Sequence, residues 1–355
     1  MGRIEGELTF LLYGANGYTG RLIAREARNR GLRPVLAGRN AEEVGALAAE
    51  LGFEHRVASL DDRAALDAAI DGHRAVIHAA GPFSRTSAPM FEACLRNGAH
   101  YFDITGEIGV FEALAARDTD AKAKGITVLP GVGFDVVPTD CLALHLKQRL
   151  PSATSLALAF MARGGISRGT ALTTVERLGQ PGMVRKGGRL TPVKLGYRTR
   201  HVDFGKGPVL TVTIPWGDVA TAWYSTGIPD VEVYLAVPPT ALRSLRMSRF
   251  LAPVLKLPPV KALVGWSIRQ RGAGPSDDAR ARGGTIVMGM VEDGAGGKAV
   301  ARWSGPDGYT LTAHAALNAV IRVLKGGIAT GFQTPSRAFG ADFALEIPGT
   351  KREDL

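Results

Sequence analysis

The sequence predicts an α/β fold, a doubly wound parallel sheet followed by a second α+β domain built on a mixed sheet. Three observations carry that expectation. Short apolar runs at 10–13, 34–37, 55–58, 75–78, 101–104 and 127–129 alternate with segments of helical spacing. The first run is followed at once by Gly14, Gly17 and Gly20. Beyond Pro151 the pattern changes to longer strand-like runs at 155–161, 209–214, 231–237 and 285–291, separated by glycine-rich loops.

The run 10–13 is Phe-Leu-Leu-Tyr, apolar enough for a strand buried on both faces. Residues 21–30 then have helical spacing, with Ile23 and Ala27 one turn apart. Strand, glycine turn and helix together make a phosphate-binding unit. Gly14 permits the tight turn, Gly17 lets a pyrophosphate approach the backbone, and Gly20 lets the helix pack on the sheet. The free N–H groups and positive dipole end of that helix favour an anion. Asn16, Tyr18 and Thr19, inside the turn and at the helix start, are grouped with the glycines as cofactor-binding candidates. The spacing G-x-x-G-x-x-G implies one more residue in the turn than G-x-G-x-x-G has.

After Gly31 comes the second strand, 34–37, then Gly38, Arg39 and Asn40. Asn40 and Glu43 form a capping-box pattern, Val44, Leu47 and Leu51 line one helical face, and Gly52 stops the helix. Near Arg39 an NAD-binding domain places Asp or Glu against the ribose 2′-hydroxyl. No acid stands before the helix here, and an arginine grips a 2′-phosphate through its planar fork. The residues therefore point to NADP(H), against the plainer reading of a solvated loop arginine. Ser59, at the end of the third strand, is placed to meet an adenine, and Asp61 reads as a helix cap. The fourth strand, 75–78, ends in Ala79, Ala80, Gly81 and Pro82, small residues that let a cofactor pass close to the backbone. A helix over 89–97 precedes the fifth strand, and a long helix over 108–124 precedes the sixth.

The chain has 355 residues, suited to two domains, with 45% apolar and 21% charged residues. Its net charge of +10 could suit nucleic acid, an acidic membrane surface or a phosphorylated ligand. The basic residues are scattered without runs or interleaved aromatics, which argues against nucleic acid. Two cysteines, Cys94 and Cys141, without metal-ligand spacing fit a reduced compartment and no metal site. No apolar leader precedes the first strand, and a cytoplasmic location is expected.

Five segments occur in a telling order: Tyr13-Gly-Ala-Asn-Gly-Tyr-Thr-Gly-Arg-Leu, Ala37-Gly-Arg, Ala80-Gly-Pro-Phe, Asp103-Ile-Thr-Gly-Glu and Pro130-Gly-Val-Gly-Phe-Asp-Val-Val-Pro-Thr-Asp. Together they resemble the saccharopine dehydrogenase-like oxidoreductases, a group that includes trans-acting enoyl reductases of polyketide lipid synthesis. The resemblance is strong over roughly the first 140 residues, with a late echo at Gly331-Phe-Gln-Thr-Pro-Ser. It implies a Rossmann-type domain, NADP(H) binding and reductive activity. It also implies that the last segment returns to the cofactor domain, giving 1–135 with 329–355 as the dinucleotide-binding domain and 136–328 as the substrate or oligomerisation domain. The group's substrates vary widely, so fold and cofactor transfer better than reaction; the expected activity is an NADPH-dependent reductase acting on an enone, ketone or imine with a hydrophobic body. An amino acid or imine oxidoreductase, or a non-catalytic NADP-sensing protein, stands as the alternative.

Catalytic candidates lie beyond the strand ends and in the second half. Pro138 suits a first helical position, with a helix over 140–150. Asp135 and Asp140 could donate a proton or hold an amine, or could fix the turn around Phe134, the favoured reading. Asp103, Thr105 and Glu107 also lie where cleft residues belong. Ser167 or Thr170 could cap a helix over 171–178 whose start would hold a carbonyl or carboxylate. Tyr224, in an expected loop, is a candidate acid or a packed aromatic, and His78 reads as a core histidine. The expected cleft lies between the first-domain strand ends and the turn at 164–170. The stretch 251–266 is apolar but broken by Lys256, Lys261 and three prolines, so it cannot span a bilayer. It could lie on a membrane, cover a lipid chain, or form a subunit interface, the last being the first expectation and implying a homodimer. Carrier-protein contact is a further possibility that the resemblance raises.

Overall fold

The computed structural model describes residues 8–248, 250–270 and 272–355. In chain order the elements begin β1 (Phe10–Tyr13), α1 (Tyr18–Asn29), β2 (Val35–Gly38), α2 (Ala41–Leu51), β3 (His55–Val57), α3 (Arg63–Ile70), β4 (Ala75–His78), α4 (Phe83–Asn97), β5 (His100–Asp103), α5 (Ile108–Ala115), α6 (Asp118–Ala123) and β6 (Thr127–Leu129). Next come α7 (Val137–Arg149), β7 (Ser155–Arg163), α8 (Arg168–Glu176), β8 (Gly182–Lys186), β9 (Arg189–Val193), β10 (Thr199–Asp203), β11 (Pro208–Thr213), α9 (Asp218–Thr226) and β12 (Asp230–Ala236). The chain then forms α10 (Pro239–Ser248), α11 (Ala252–Leu255), α12 (Pro258–Arg269), α13 (Asp277–Ala281), β13 (Gly284–Glu292) and β14 (Lys298–Gly305). It closes with α14 (Gly308–Leu324), β15 (Gly331–Phe332), α15 (Pro335–Phe339) and β16 (Lys351–Asp354).

Two compact units result. One holds the described residues up to Phe134 together with Tyr309–Phe339, and the other holds Asp135–Gly308 with Gly340–Leu355. Of the closing stretch expected in the first domain, β15 joins the first unit and β16 the second. Most of α14, expected in the second half, belongs to the first unit.

The first unit is organised on a seven-stranded parallel sheet in the order β15-β6-β5-β4-β1-β2-β3. β1 lies between β2 and β4, with Leu12 opposite Leu36 and Ile77, so all four of its residues are buried. Strand order reverses direction at β1, the switch point above which ligands bind in such sheets. α1 covers the sheet with Gly20, Ile23, Ala24 and Ala27. It begins at Tyr18, three residues earlier than the apolar spacing indicates, because Gly17 is already its N-cap.

Two other helices depart from expectation. α4 starts at Phe83, not 89, and carries Pro89 internally. A proline usually marks a helix start, but here a carboxylate from elsewhere caps the earlier start. The expected helix over 108–124 is two, α5 and α6, broken at Ala116 and Arg117.

The second unit carries a nine-stranded sheet, with the path β10-β11-β12-β7-β13-β14-β16 and β8 and β9 beside β12. β12 and β7 run parallel and the other pairs antiparallel, so the sheet is mixed. β8 and β9 form a hairpin through Gly187 and Gly188, both at positive φ, as a two-residue turn with the strands' own twist requires. Ala159, Phe204, Tyr234 and Met288 form a buried cluster on this sheet. Among the described residues no helix is long and apolar enough to cross a membrane.

Candidate functional site

The glycine turn takes its shape from three different constraints. Gly14 has φ +81°, and a Cβ there would lie 2.8 Å from the backbone nitrogen of Ala80, so both conformation and space demand glycine. At Gly20 a Cβ would fall 2.2 Å from the Gly14 carbonyl oxygen, which is why the helix can seat on the turn. Gly17 differs: its φ of −71° is ordinary, and a Cβ would meet nothing closer than the Gly14 oxygen at 3.2 Å. The turn is closed by Gly17 N–H donating to Gly14 C=O at 3.0 Å, and anchored by the N–H groups of Gly14 and Ala15 on Ala37 C=O. α1 has no side-chain hydrogen bond at its cap and no acid in its first turn. Its first backbone bond is Arg21 N–H to Gly17 C=O at 2.9 Å. Such a helix start offers N–H groups and a positive dipole end to an anion. Tyr18 packs edge-on against Tyr309 of α14, with ring centres 4.9 Å apart.

Arg39 stands exposed at the end of β2. Burial raises the Tyr13 hydroxyl's pKa, with the Arg39 charge opposing and the Asp61 charge adding to the rise. The Tyr13 hydroxyl donates to Ala58 C=O at 2.9 Å. The nearby carboxylate of Glu43 is engaged, accepting from Asn16 Nδ2 at 2.8 Å and Asn40 Nδ2 at 3.0 Å. Asn40 also caps α2 by accepting from Glu43 N–H, so Asn16 ties the glycine turn to the start of α2. Ser59 closes a local turn through Asp61 N–H on its Oγ, and the cap of α3 is Asp62 rather than Asp61.

At the end of β4, Ala79 N–H donates to Tyr13 C=O, and Ala80 lies against Gly14. Gly81 and Pro82 follow and lead into α4. His78 is fully buried and sits near the Tyr13 and Phe83 rings. Thr86 spends its single hydroxyl proton on the carbonyls of Ala80 and Pro82, so His78 donates to it from Nε2. His78 Nδ1 finds no partner among the described residues, and burial pushes the imidazole pKa down to about 3, keeping it neutral.

Asp103, the last residue of β5, and Glu107 beyond it are both engaged by backbone N–H groups. Glu107 accepts the N–H groups of Phe83 at 2.8 Å and Ser84 at 3.0 Å, filling the start of α4 with a carboxylate. Thr105 Oγ1 accepts the Glu107 N–H and so holds that cap in place. Asp103 accepts Tyr101 Oη–H at 2.6 Å, Thr105 N–H at 2.9 Å and Gly131 N–H at 3.0 Å, pinning two strand ends together. Burial raises its carboxyl to about 6. Thus α4's start is filled from within the chain, whereas α1's start has no side-chain cap.

In the second unit the structure brings Asp135, Asp140 and Tyr224 to the packed pair α7 and α9. Tyr224 lies on α9, not in a loop, because Trp216 and Asp218 begin a helix there. Asp140 is buried and accepts the hydroxyl of Ser225. Asp135 is half-buried, and its carbonyl accepts Trp216 Nε1–H at 2.8 Å. Sequence reasoning missed Asp218, fully buried at the start of α9, whose Oδ2 has no hydrogen-bond partner among the described residues. Burial holds its pKa well above the carboxylate range, and the charges of Asp140 and Asp135 push the same way. A signal existed: Asp218, Thr221 and Ser225 recur at helical spacing among Val219, Ala220 and Ala222.

Ser167 caps α8, accepting Thr170 N–H at 3.2 Å, and lies 3.1 Å from Thr170 Oγ1. Arg168 N–H donates to Ala273 C=O, so two of the helix's first N–H groups are already satisfied. Thr170 is exposed within this first turn.

A parallel sheet with this order, a glycine turn at its switch point and an arginine after β2 defines a dinucleotide-binding domain. Residues 10–129, within the first unit, match the saccharopine dehydrogenase NADP binding domain. The chain is 31% identical over 152 residues to a trans-acting enoyl reductase of Mycobacterium leprae, covering 41% of this chain and 36% of that protein. It is 30% identical over 186 residues to a putative trans-acting enoyl reductase of Mycobacterium tuberculosis, covering 48% and 44%. The match therefore spans less than half the length of these relatives. In fold it resembles apo saccharopine dehydrogenase (L-Glu forming) from Saccharomyces cerevisiae, with a TM-score of 0.65 and 12% identity over 98% of this chain and 99% of that one.

Proposed function

We propose that the chain is an NADPH-dependent oxidoreductase that reduces an activated C=C, C=O or C=N bond of a hydrophobic, polyketide-type or other small-molecule substrate. The observation that carries this reading is the start of α1, where Gly17 is held in an ordinary conformation, without a side-chain cap, within the matched NADP-binding domain. In this reading the N–H groups at the start of α1 hold the diphosphate and Arg39 pairs with the 2′-phosphate. Ala80, Gly81 and Pro82 keep the backbone low where the dinucleotide passes. The bound dinucleotide supplies the hydride.

The second unit supplies substrate contacts and a proton. Asp135 and Tyr224, both part-exposed near the α7–α9 pair, are the proposed proton-handling groups, with Asp140 positioning α9 through Ser225. Thr170, at the start of α8, is a proposed substrate contact through its hydroxyl rather than through its N–H, which Ser167 already takes. The names of the mycobacterial relatives favour a conjugated C=C among the three bond types.

The test is NADPH oxidation against an enoyl thioester, a ketone and a cyclic imine. The enoyl thioester is expected to turn over fastest. NADPH binding without turnover of any of the three would favour a sensing role instead. Tyr224→Phe and Asp135→Asn should lower turnover while leaving NADPH affinity in place, and equal loss of both would remove them from the site.

A further inference from the structure

The helices α10 to α12 leave an apolar face uncovered. Phe250 is 82% exposed, Met247 68%, Leu263 66% and Trp266 58%, joined by Leu251 and Val254. α12 explains the arrangement. Its Val264 and Ile268 pack against Ala171 and Val175 of α8, while Leu263 and Trp266 lie on the opposite side of the helix. Lys261 Nζ donates to Glu176 C=O at 2.6 Å and fixes α12 to the end of α8. The outward face is therefore held in place by packing on its inner side.

The charge of this segment is one-signed. Between Glu232 and Asp277 the sequence has no acidic residue, while Arg243, Arg246, Lys256, Lys261 and Arg269 punctuate it. Beside α11 an open groove of about 740 Å³, whose lining includes Val193, Leu195, Tyr197, Lys194 and Lys256, adds apolar surface and a further cation. Bulky apolar and aromatic side chains interleaved with lysine and arginine alone are the composition of a helix lying in a lipid interface. A two-fold contact between copies would instead bring one cationic face against another.

We propose that α10 to α12 dock the protein on an anionic bilayer surface. Phe250, Leu263 and Trp266 enter the acyl boundary, and the flanking arginines and lysines meet lipid phosphates. None of these helices spans the membrane.

The purified full chain should be sedimented with vesicles of phosphatidylcholine alone and with vesicles containing phosphatidylglycerol. It is expected to pellet with the anionic vesicles and little with the neutral ones. Tryptophan emission should shift to the blue on binding, and Trp266→Phe should remove that shift, since Trp303 is buried and the part-buried Trp216 and Trp223 lie outside α10 to α12. Phe250→Glu with Trp266→Glu should weaken vesicle binding roughly tenfold or more, with thermal midpoint and NADPH affinity held. Arg243→Glu with Arg246→Glu should abolish the preference for anionic lipid. Failure to pellet with either vesicle, or equal pelleting with both, overturns the proposal. Dimerisation in solution that Phe250→Glu abolishes, without vesicle binding, makes the face a subunit interface. Retention of an acidic acyl carrier protein, without vesicle binding, makes it a protein-docking surface.

Discussion

Gly17→Val separates the structural use of the glycine turn from its use in binding. The native backbone there, φ −71° and ψ 164°, is one a β-branched residue adopts without strain. The new Cβ meets only the Gly14 oxygen, at 3.2 Å, a contact that a few tenths of an ångström relieve. Valine is a poor N-cap, so the fold should lose only about 1 kcal/mol. In the proposed binding mode, however, the two γ-methyl groups stand where a diphosphate would reach the N–H groups of α1. Loss of two charge-assisted hydrogen bonds at roughly 1.5–3 kcal/mol each lowers affinity at least about 100-fold. Calorimetric titration with NADPH, beside a thermal melt of the same sample, reads both quantities. Unchanged affinity in a folded variant refutes the assignment of the turn as the diphosphate site. Gly20→Ala is not a substitute, because its Cβ would lie 2.2 Å from the Gly14 oxygen and would unseat the helix itself.

Other outcomes follow from the same geometry. Glu107→Ala strips both N–H groups at the start of α4 of their carboxylate and should cost about 1–3 kcal/mol in a urea melt; no change would mean that solvent replaces the cap fully. Asp103 titrates near 6 in the fold against 3.8 in the open chain, so the folded state binds more protons between those values and stability falls as pH rises through that window, by about 3 kcal/mol. Asp103→Asn should flatten that fall. An amide oxygen can accept the N–H groups of Thr105 and Gly131 that both point at Oδ1, while its nitrogen donates to Tyr101 Oη. Urea midpoints at pH 4 and pH 7 measure it, and an unchanged pH slope in the variant would assign the dependence to another group, such as Asp218. Asp218→Asn should likewise gain stability over the wild type as pH rises beyond the ordinary carboxylate range, because burial and the charges of Asp140 and Asp135 oppose ionisation of the wild-type carboxyl; destabilisation at every pH would contradict this.

What could be read from the sequence was local. A four-residue apolar run, three glycines and a helix define β1, its turn and α1 within about twenty residues, and hydrophobic spacing alone placed Ile23 and Ala27 on the buried side. Asn40, Glu43 and Gly52 bounded α2 as their chemistry requires. What could not be read depended on distant residues. The start of α4 is set by Glu107, twenty-four positions away, so Pro89 looked like a helix start when it is an interior residue. The second unit's missing strands were masked by polar, alternating segments such as β9 and β10, although Gly187 and Gly188 signalled a hairpin. Asp218 recurs with Thr221 and Ser225 at helical spacing, but what that polar stripe faces emerges only when α9 is packed on α7.

The choice of NADP(H) over NAD(H) turns on Arg39 and the absence of an acid at the end of β2. Parallel titrations of the unaltered chain and of Arg39→Ala with NADPH and NADH test it directly. NADPH should bind the unaltered chain more than about tenfold more tightly than NADH. In Arg39→Ala, the loss of roughly 1.5–3 kcal/mol should fall on NADPH alone and erase that preference. Equal or tighter binding of NADH by the unaltered chain would contradict it.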